Sequence, residues 1–170
     1  MDINIRWLAF PLHPETPEEG RTLEELFAGR SYNIPEVLSH MKTVADAEGL
    51  PFGARTKTYN SRLAQELAKW AEDQGQGDAF HQAAFRAYFA DGKNIARMKN
   101  LLDIVSSVSL DPDEARKSIE KRTYKEAVDA DWQRAHQLGI TAVPTFLYGA
   151  GRLVGAQPYE ALKQFVGQWI

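Results

Sequence analysis

Gly139 divides this sequence into two textures, and the division limits the fold more than any other feature. From Ile34 to Leu138, apolar residues recur at three- and four-residue spacing. After Gly139, Val143-Pro144-Thr145-Phe146-Leu147-Tyr148 and Arg152-Leu153-Val154 are short β-forming runs joined by Gly149-Ala150-Gly151. The first pattern is that of amphipathic helices and the second that of a hairpin. At the other end, Ile3, Ile5 and Trp7 alternate with Asn4 and Arg6 and lead into Leu8-Ala9-Phe10. That alternation predicts a strand of about six residues. Pro11, Pro14 and Pro17 then keep the chain out of helix as far as Gly20. The order strand, helices, hairpin, helix, without internal repeats, is that of an α/β protein.

The helices have local start and stop signals. Leu23, Leu26 and Phe27 mark a short one ended by Gly29. Pro35 in a first turn and Gly49 as a C-terminal cap bracket a helix over 35–48. Asn60 or Ser61 can cap the helix that carries Leu63, Ala64, Leu67, Trp70 and Ala71. Phe80, Ala83, Ala84, Ala87 and Tyr88 belong to the next, and Ile95, Met98, Leu101, Leu102 and Val105 to the one after. Asp111-Pro112-Asp113-Glu114 combines an N-cap acid, a first-turn proline and an acid three residues after the cap. Pro158 opens a last helix with Leu162, Phe165, Val166 and Trp169.

Composition excludes several functions. With 20 Lys+Arg against 23 Asp+Glu the net charge is −3, so no basic excess recruits nucleic acid or an anionic membrane. No apolar run has the length of a signal peptide or a membrane span, which makes the cytoplasm the expected compartment. The chain has no cysteine, and with it no thiol reaction, disulfide or thiolate metal site. His13, His40, His81 and His136 lie far apart and lack metal-ligand spacing, so neither a metal nor another cofactor is expected. Asp111-Pro112-Asp113 is no calcium loop, because Ala115 and Arg116 stand where a further ligand and a glycine are required. Gly149-x-Gly151 sits between strands and lacks a third glycine, so it is a hairpin turn and not a phosphate loop. Phe80, Phe85, Tyr88 and Phe89 read first as core, with a substrate groove as the rival.

The segment Gly139-Ile140-Thr141-Ala142-Val143-Pro144-Thr145-Phe146, followed by Gly155-Ala156-Gln157-Pro158-Tyr159-Glu160-Ala161-Leu162, resembles the C-terminal half of the DsbA-like thioredoxin superfamily. The FrnE-like branch, neighbour to the 2-hydroxychromene-2-carboxylate isomerases, is the most similar. Trp7 to Gly20, with Phe10, Leu12, Pro14 and Glu19-Gly20, resembles that family's second strand and the loop after it. Asn60-Ser61-Arg62-Leu63-Ala64 and Phe80-His81-x-Ala83-x-Phe85-Arg86-Ala87-Tyr88-Phe89 resemble helices of its helical insertion.

The resemblance implies a thioredoxin-like (DsbA-like) α/β fold in which residues 1–29 and 139–170 form an incomplete thioredoxin-like part and 30–138 a helical insertion domain. The family's first strand and its Cys-x-x-Cys helix have no counterpart here, so the expected fold is N-terminally truncated. The key serine of the isomerases lies in the same segment, so no catalytic residue carries over. What carries over is a substrate-binding loop, Ala142, Val143 and Pro144. In the family its proline is cis and helps an extended peptide dock by backbone hydrogen bonds; from residue statistics alone a trans bond is the default. The implied activity is protein thiol–disulfide oxidoreductase, with this chain inactive as written for want of the cysteines. A non-redox peptide- or protein-binding role and an isomerase-like enzyme are the alternatives. The expected partner is a polypeptide. With the family's central strand missing, Ile3–Phe10 and Thr145–Tyr148 would border a gap, and exposed strand edges recruit other chains. A homodimer through the N-terminal strand and the exposed sheet face is therefore expected.

Overall fold

The structure is a computed structural model that describes residues 3–29, 31 and 33–168. Two compact units partition the chain: His13–Val128, and Met1–Leu12 together with Asp129–Ile170. The sequence-based borders at 29/30 and 138/139 differ from these.

The larger unit begins with β1 (Arg21–Thr22) and α1 (Leu23–Leu26), then α2 (Ile34–Ala47) and β2 (Lys57–Thr58). The helices α3 (Arg62–Asp73), α4 (Gly77–Phe85), α5 (Met98–Ser107) and α6 (Pro112–Glu120) follow, with a π-helical turn Arg86–Ala90 after α4. α7 (Lys125–Gln137) runs across the border into the second unit. Residues 13–29 belong with the helices for three reasons. β1 pairs antiparallel with β2, Arg21 opposite Thr58. Leu23 is buried. The Asn60 side chain donates to the carbonyls of Pro14 and Thr16 at 3.1 and 2.8 Å.

Capping follows the sequence signals. Asp111 Oδ1 accepts from the Asp113 and Glu114 N–H groups at 2.8 and 3.4 Å. Asn33 caps α2 ahead of Pro35. At α3 the cap is shared: Ser61 holds the N-cap position, while Asn60 Oδ1 accepts from the Arg62 N–H at 2.9 Å. Helical spacing then puts Leu67 and Ala71 on one face of α3, against Phe80 from α4, Leu101 and Val105 from α5, and Ala115 and Ile119 from α6. Burying one Leu- or Phe-sized side chain contributes roughly 1.5–3 kcal/mol.

One charge sits inside this packing. Glu66 is 3% exposed and accepts from Arg62 Nε at 2.6 Å and from Arg122 Nε and Nη2 at 2.8 and 2.6 Å. Burial alone would push its carboxyl up, but hydrogen bonds and charge from Arg122 and Arg62 outweigh this and hold it below its ordinary range. α2 forms as its spacing predicts, yet none of its residues is buried, and Val37, Met41 and Val44 stay exposed.

The smaller unit holds the end of α7, the hairpin β3 (Thr145–Tyr148) and β4 (Gly151–Val154), and α8 (Tyr159–Gly167). Thr145 faces Val154 and Tyr148 faces Gly151, so Gly149 and Ala150 make the turn, as the sequence predicts. The N-terminal strand requires correction. Among the described residues, 3–10 carry no strand pairing, and β3 pairs only with β4. Alternation gives a segment a β-like pattern, but a strand needs a partner ladder. Here the Ala9 N–H donates to the buried carboxylate of Asp131, at 2.9 Å, in place of a ladder bond. Trp169, which its spacing assigns to the last helix, lies outside the described residues.

Candidate functional site

The loop from Gly139 to Pro144 is fixed at both ends. α7 stops because Gly139 takes a left-handed conformation, φ +62°. The Gly139 N–H donates to His136 O and the Ile140 N–H to Ala135 O, both at 2.9 Å, which satisfies carbonyls at the helix end. The Arg152 guanidinium, from β4, donates to the carbonyls of Leu138 and Gly139, placing a cation at the negative end of the helix dipole. At the other end, Thr145 Oγ1 donates to Ala142 O at 2.7 Å, and the Gly155 N–H donates to Pro144 O at 2.8 Å.

Between these anchors the Val143–Pro144 peptide bond is cis. Val143 and Pro144 are exposed and Ala142 is half-buried. Among the described residues, nothing hydrogen-bonds to the Val143 N–H or C=O. The loop thus presents one free backbone donor and one free acceptor on a rigid support, beside the apolar side chains of Phe146 and Leu147, 37% and 42% exposed. An extended chain is what such a pair of groups can hold, by the same geometry that joins strands. Ala142, Val143 and Pro144 follow one another along this loop.

No catalytic residue joins them from this chain's own chemistry of thiols, since it has none. Among the described residues no group of three His, Asp or Glu is placed to hold a metal ion. His81 is half-buried, 3.6 Å from Glu72, and burial pushes its pKa below the ordinary value while Glu72 opposes the shift. The aromatic run divides: Phe80 is core at 1% exposed, whereas Phe85 is 47% exposed. The partners of Arg152, Glu66 and Asp131 are what sequence reading passed over. Each is a single polar residue whose role depends on a distant partner, and no spacing marks it.

The chain is similar along its length to known proteins. The family described as "DSBA-like thioredoxin domain" matches residues 1–167. The "Uncharacterized protein YwbO" of Bacillus subtilis is 25% identical over 166 residues, covering 97% of this chain and 82% of its own. The crystal structure of a probable DsbA oxidoreductase from Streptomyces coelicolor has a TM-score of 0.84 and 27% identity, covering 95% of this chain and 73% of that one. A 2-hydroxychromene-2-carboxylate isomerase shares the fold, with a TM-score of 0.70 at 18% identity over 79% of this chain and 66% of its own. With the helix-rich architecture and the Ala142–Pro144 loop described above, these matches show that the chain belongs to the DsbA-like thioredoxin family.

Proposed function

We propose that this chain acts as a DsbA-like protein of the thiol–disulfide oxidoreductase kind in which these 170 residues supply polypeptide binding and no redox chemistry. The supporting observation is that Val143 is exposed and, among the described residues, its N–H and C=O have no hydrogen-bond partner and the neighbouring β3 pairs with nothing but β4. Thiol–disulfide exchange needs a thiolate, and the sequence contains none. What remains is the holding of an extended substrate. The isomerase reading draws no support from a specific side chain, and the likeness there is one of fold.

Two assays test the proposal. Purified chain is expected to leave insulin disulfides intact at the rate of a buffer control; reduction above that control refutes it. In a titration with an unstructured peptide, the amide signals of Ala142, Val143 and Thr145 are expected to move, and their failure to move at millimolar peptide refutes the binding role. We also propose a homodimer around residues 3–10 and the β3 edge, supported by exposed Ile5 (69%), Val143, Leu147 and Val154. Light scattering is expected to give twice 19.1 kDa at micromolar concentration, and a 19.1 kDa species refutes it.

A further inference from the structure

Gly53 sits where a side chain cannot. A β-carbon there would stand 2.0 Å from the Ala90 carbonyl oxygen, and the Gly53 N–H donates to Phe89 O at 2.9 Å. The loop before β2 is thereby pressed against the π-helical turn Arg86–Ala90, whose Arg86 carbonyl accepts from the Asp91 N–H five residues on. Such turns are rare and concentrate at functional sites. The close approach stacks Phe52 on Phe89, ring centres 6.3 Å apart. It also sets the Arg55 guanidinium carbon 4.9 Å from the centre of the Tyr88 ring and 5.4 Å from that of Phe89. Arg55 Nη1 donates to the Tyr88 hydroxyl at 2.6 Å, and that hydroxyl lies 3.0 Å from Thr58 Oγ1.

These contacts orient Arg55 without neutralising it. None of the described residues forms an ion pair with it, and among them its Nη2 donates to nothing; Nε also lacks an acceptor but is buried, out of a ligand's reach. A half-buried guanidinium lying over the Tyr88 and Phe89 rings, with its Nη2 unspent, is suited to a carboxylate. Beside it, Phe85 is 47% exposed and lies 6.3 Å from Phe89, ring centre to ring centre. We propose that the face formed by Arg55, Phe85 and Phe89 binds an acidic side chain of an extended polypeptide, with a neighbouring apolar side chain of that polypeptide resting on Phe85. The inference rests on the polypeptide-binding reading and adds the residue class the protein prefers. Charge complementarity selects the occupant: the unpaired cation attracts an acidic segment and repels a basic one.

The test is an NMR titration of the full 15N-labelled chain with two blocked pentapeptides, Ala-Leu-Glu-Phe-Ala and its Gln counterpart. The Glu peptide is expected to shift the Arg55 Nε–H signal and the amides of residues 85–90, and to bind about tenfold more tightly than the Gln peptide, a difference of about 1.4 kcal/mol. Arg55→Gln is expected to erase that preference. Phe85→Ser is expected to weaken both peptides several-fold while its amide spectrum stays that of a folded chain, and unchanged affinity in this variant overturns the inference if Arg55→Gln fails to fold. Equal affinity for the two peptides overturns the inference. So do shifts confined to residues 142–145, which leave the polypeptide-binding reading standing. Shifts nowhere overturn both.

Discussion

Replacing Glu66 by Gln is expected to destabilise the larger unit by about 3 kcal/mol. The carboxylate accepts three short hydrogen bonds from Arg62 and Arg122 while 3% exposed. Breaking a fully buried ion pair costs about 3–5 kcal/mol. The lower end applies, because the Arg62 and Arg122 side chains are 16% and 43% exposed and water can reclaim part of their charge. For a chain of this size about 3 kcal/mol is roughly 6–12 °C in melting temperature. Arg122 sharpens the test, because it is a non-glycine residue at φ +51°. A left-handed conformation costs it roughly 1–2 kcal/mol, which its bonds to Glu66 offset. Arg122→Gly removes both the bonds and the strain, so it is expected to cost less than Glu66→Gln. In the Glu66→Gln background it is expected to be neutral or stabilising. Urea unfolding followed by circular dichroism gives the double-mutant cycle. A cost for Glu66→Gln below about 1 kcal/mol, or effects additive within about 0.3 kcal/mol, refutes the reasoning. The sign with pH is fixed by the lowered carboxyl pKa: the stabilisation is present above the unfolded value near 4.5 and fades as pH falls through the folded value. The penalty of Glu66→Gln therefore shrinks in acid.

Gly53→Ala places a methyl 2.0 Å from a backbone oxygen, so the loop or the π-helical turn must move; a loss of about 2 kcal/mol or more in urea, with changed Phe89 and Ala90 amide signals, is expected. Asp111→Ala removes the cap of α6 and is expected to cost about 1 kcal/mol by the same assay. His81 is held neutral by burial, so stability is expected to fall as pH drops from 6.5 through its lowered folded pKa, a slope that His81→Phe removes.

Local signals determined much of this protein. Asp111-Pro112, Asn33 with Pro35, and Gly139 each satisfy or end a helix through groups within a few residues, so their sequence fixes where helices begin and stop. Gly149-Ala150 sets the hairpin register for the same reason. The loop Ala142–Pro144 was also legible, as part of a longer family-like segment. The tertiary structure decided what depends on distant partners. Ile3–Phe10 alternates like a strand, but the Ala9 N–H meets a helix carboxylate 122 residues away, and no ladder forms among the described residues. Phe80 and Phe85 are both aromatic residues of α4, but a spacing of five turns them about 140° apart. Which of the two faces meets the core is set by the helices packed against it, so one ring is buried and the other is 47% exposed. Glu66 and Arg55 carry no signal of their own. One is buried where Arg122 comes back to it from 56 residues on, and the other, without an ion partner among the described residues, is set over the aromatic turn where Gly53 presses its loop onto it. Spacing records a residue's neighbours along the chain, whereas burial and charge pairing depend on which distant segments fold against it.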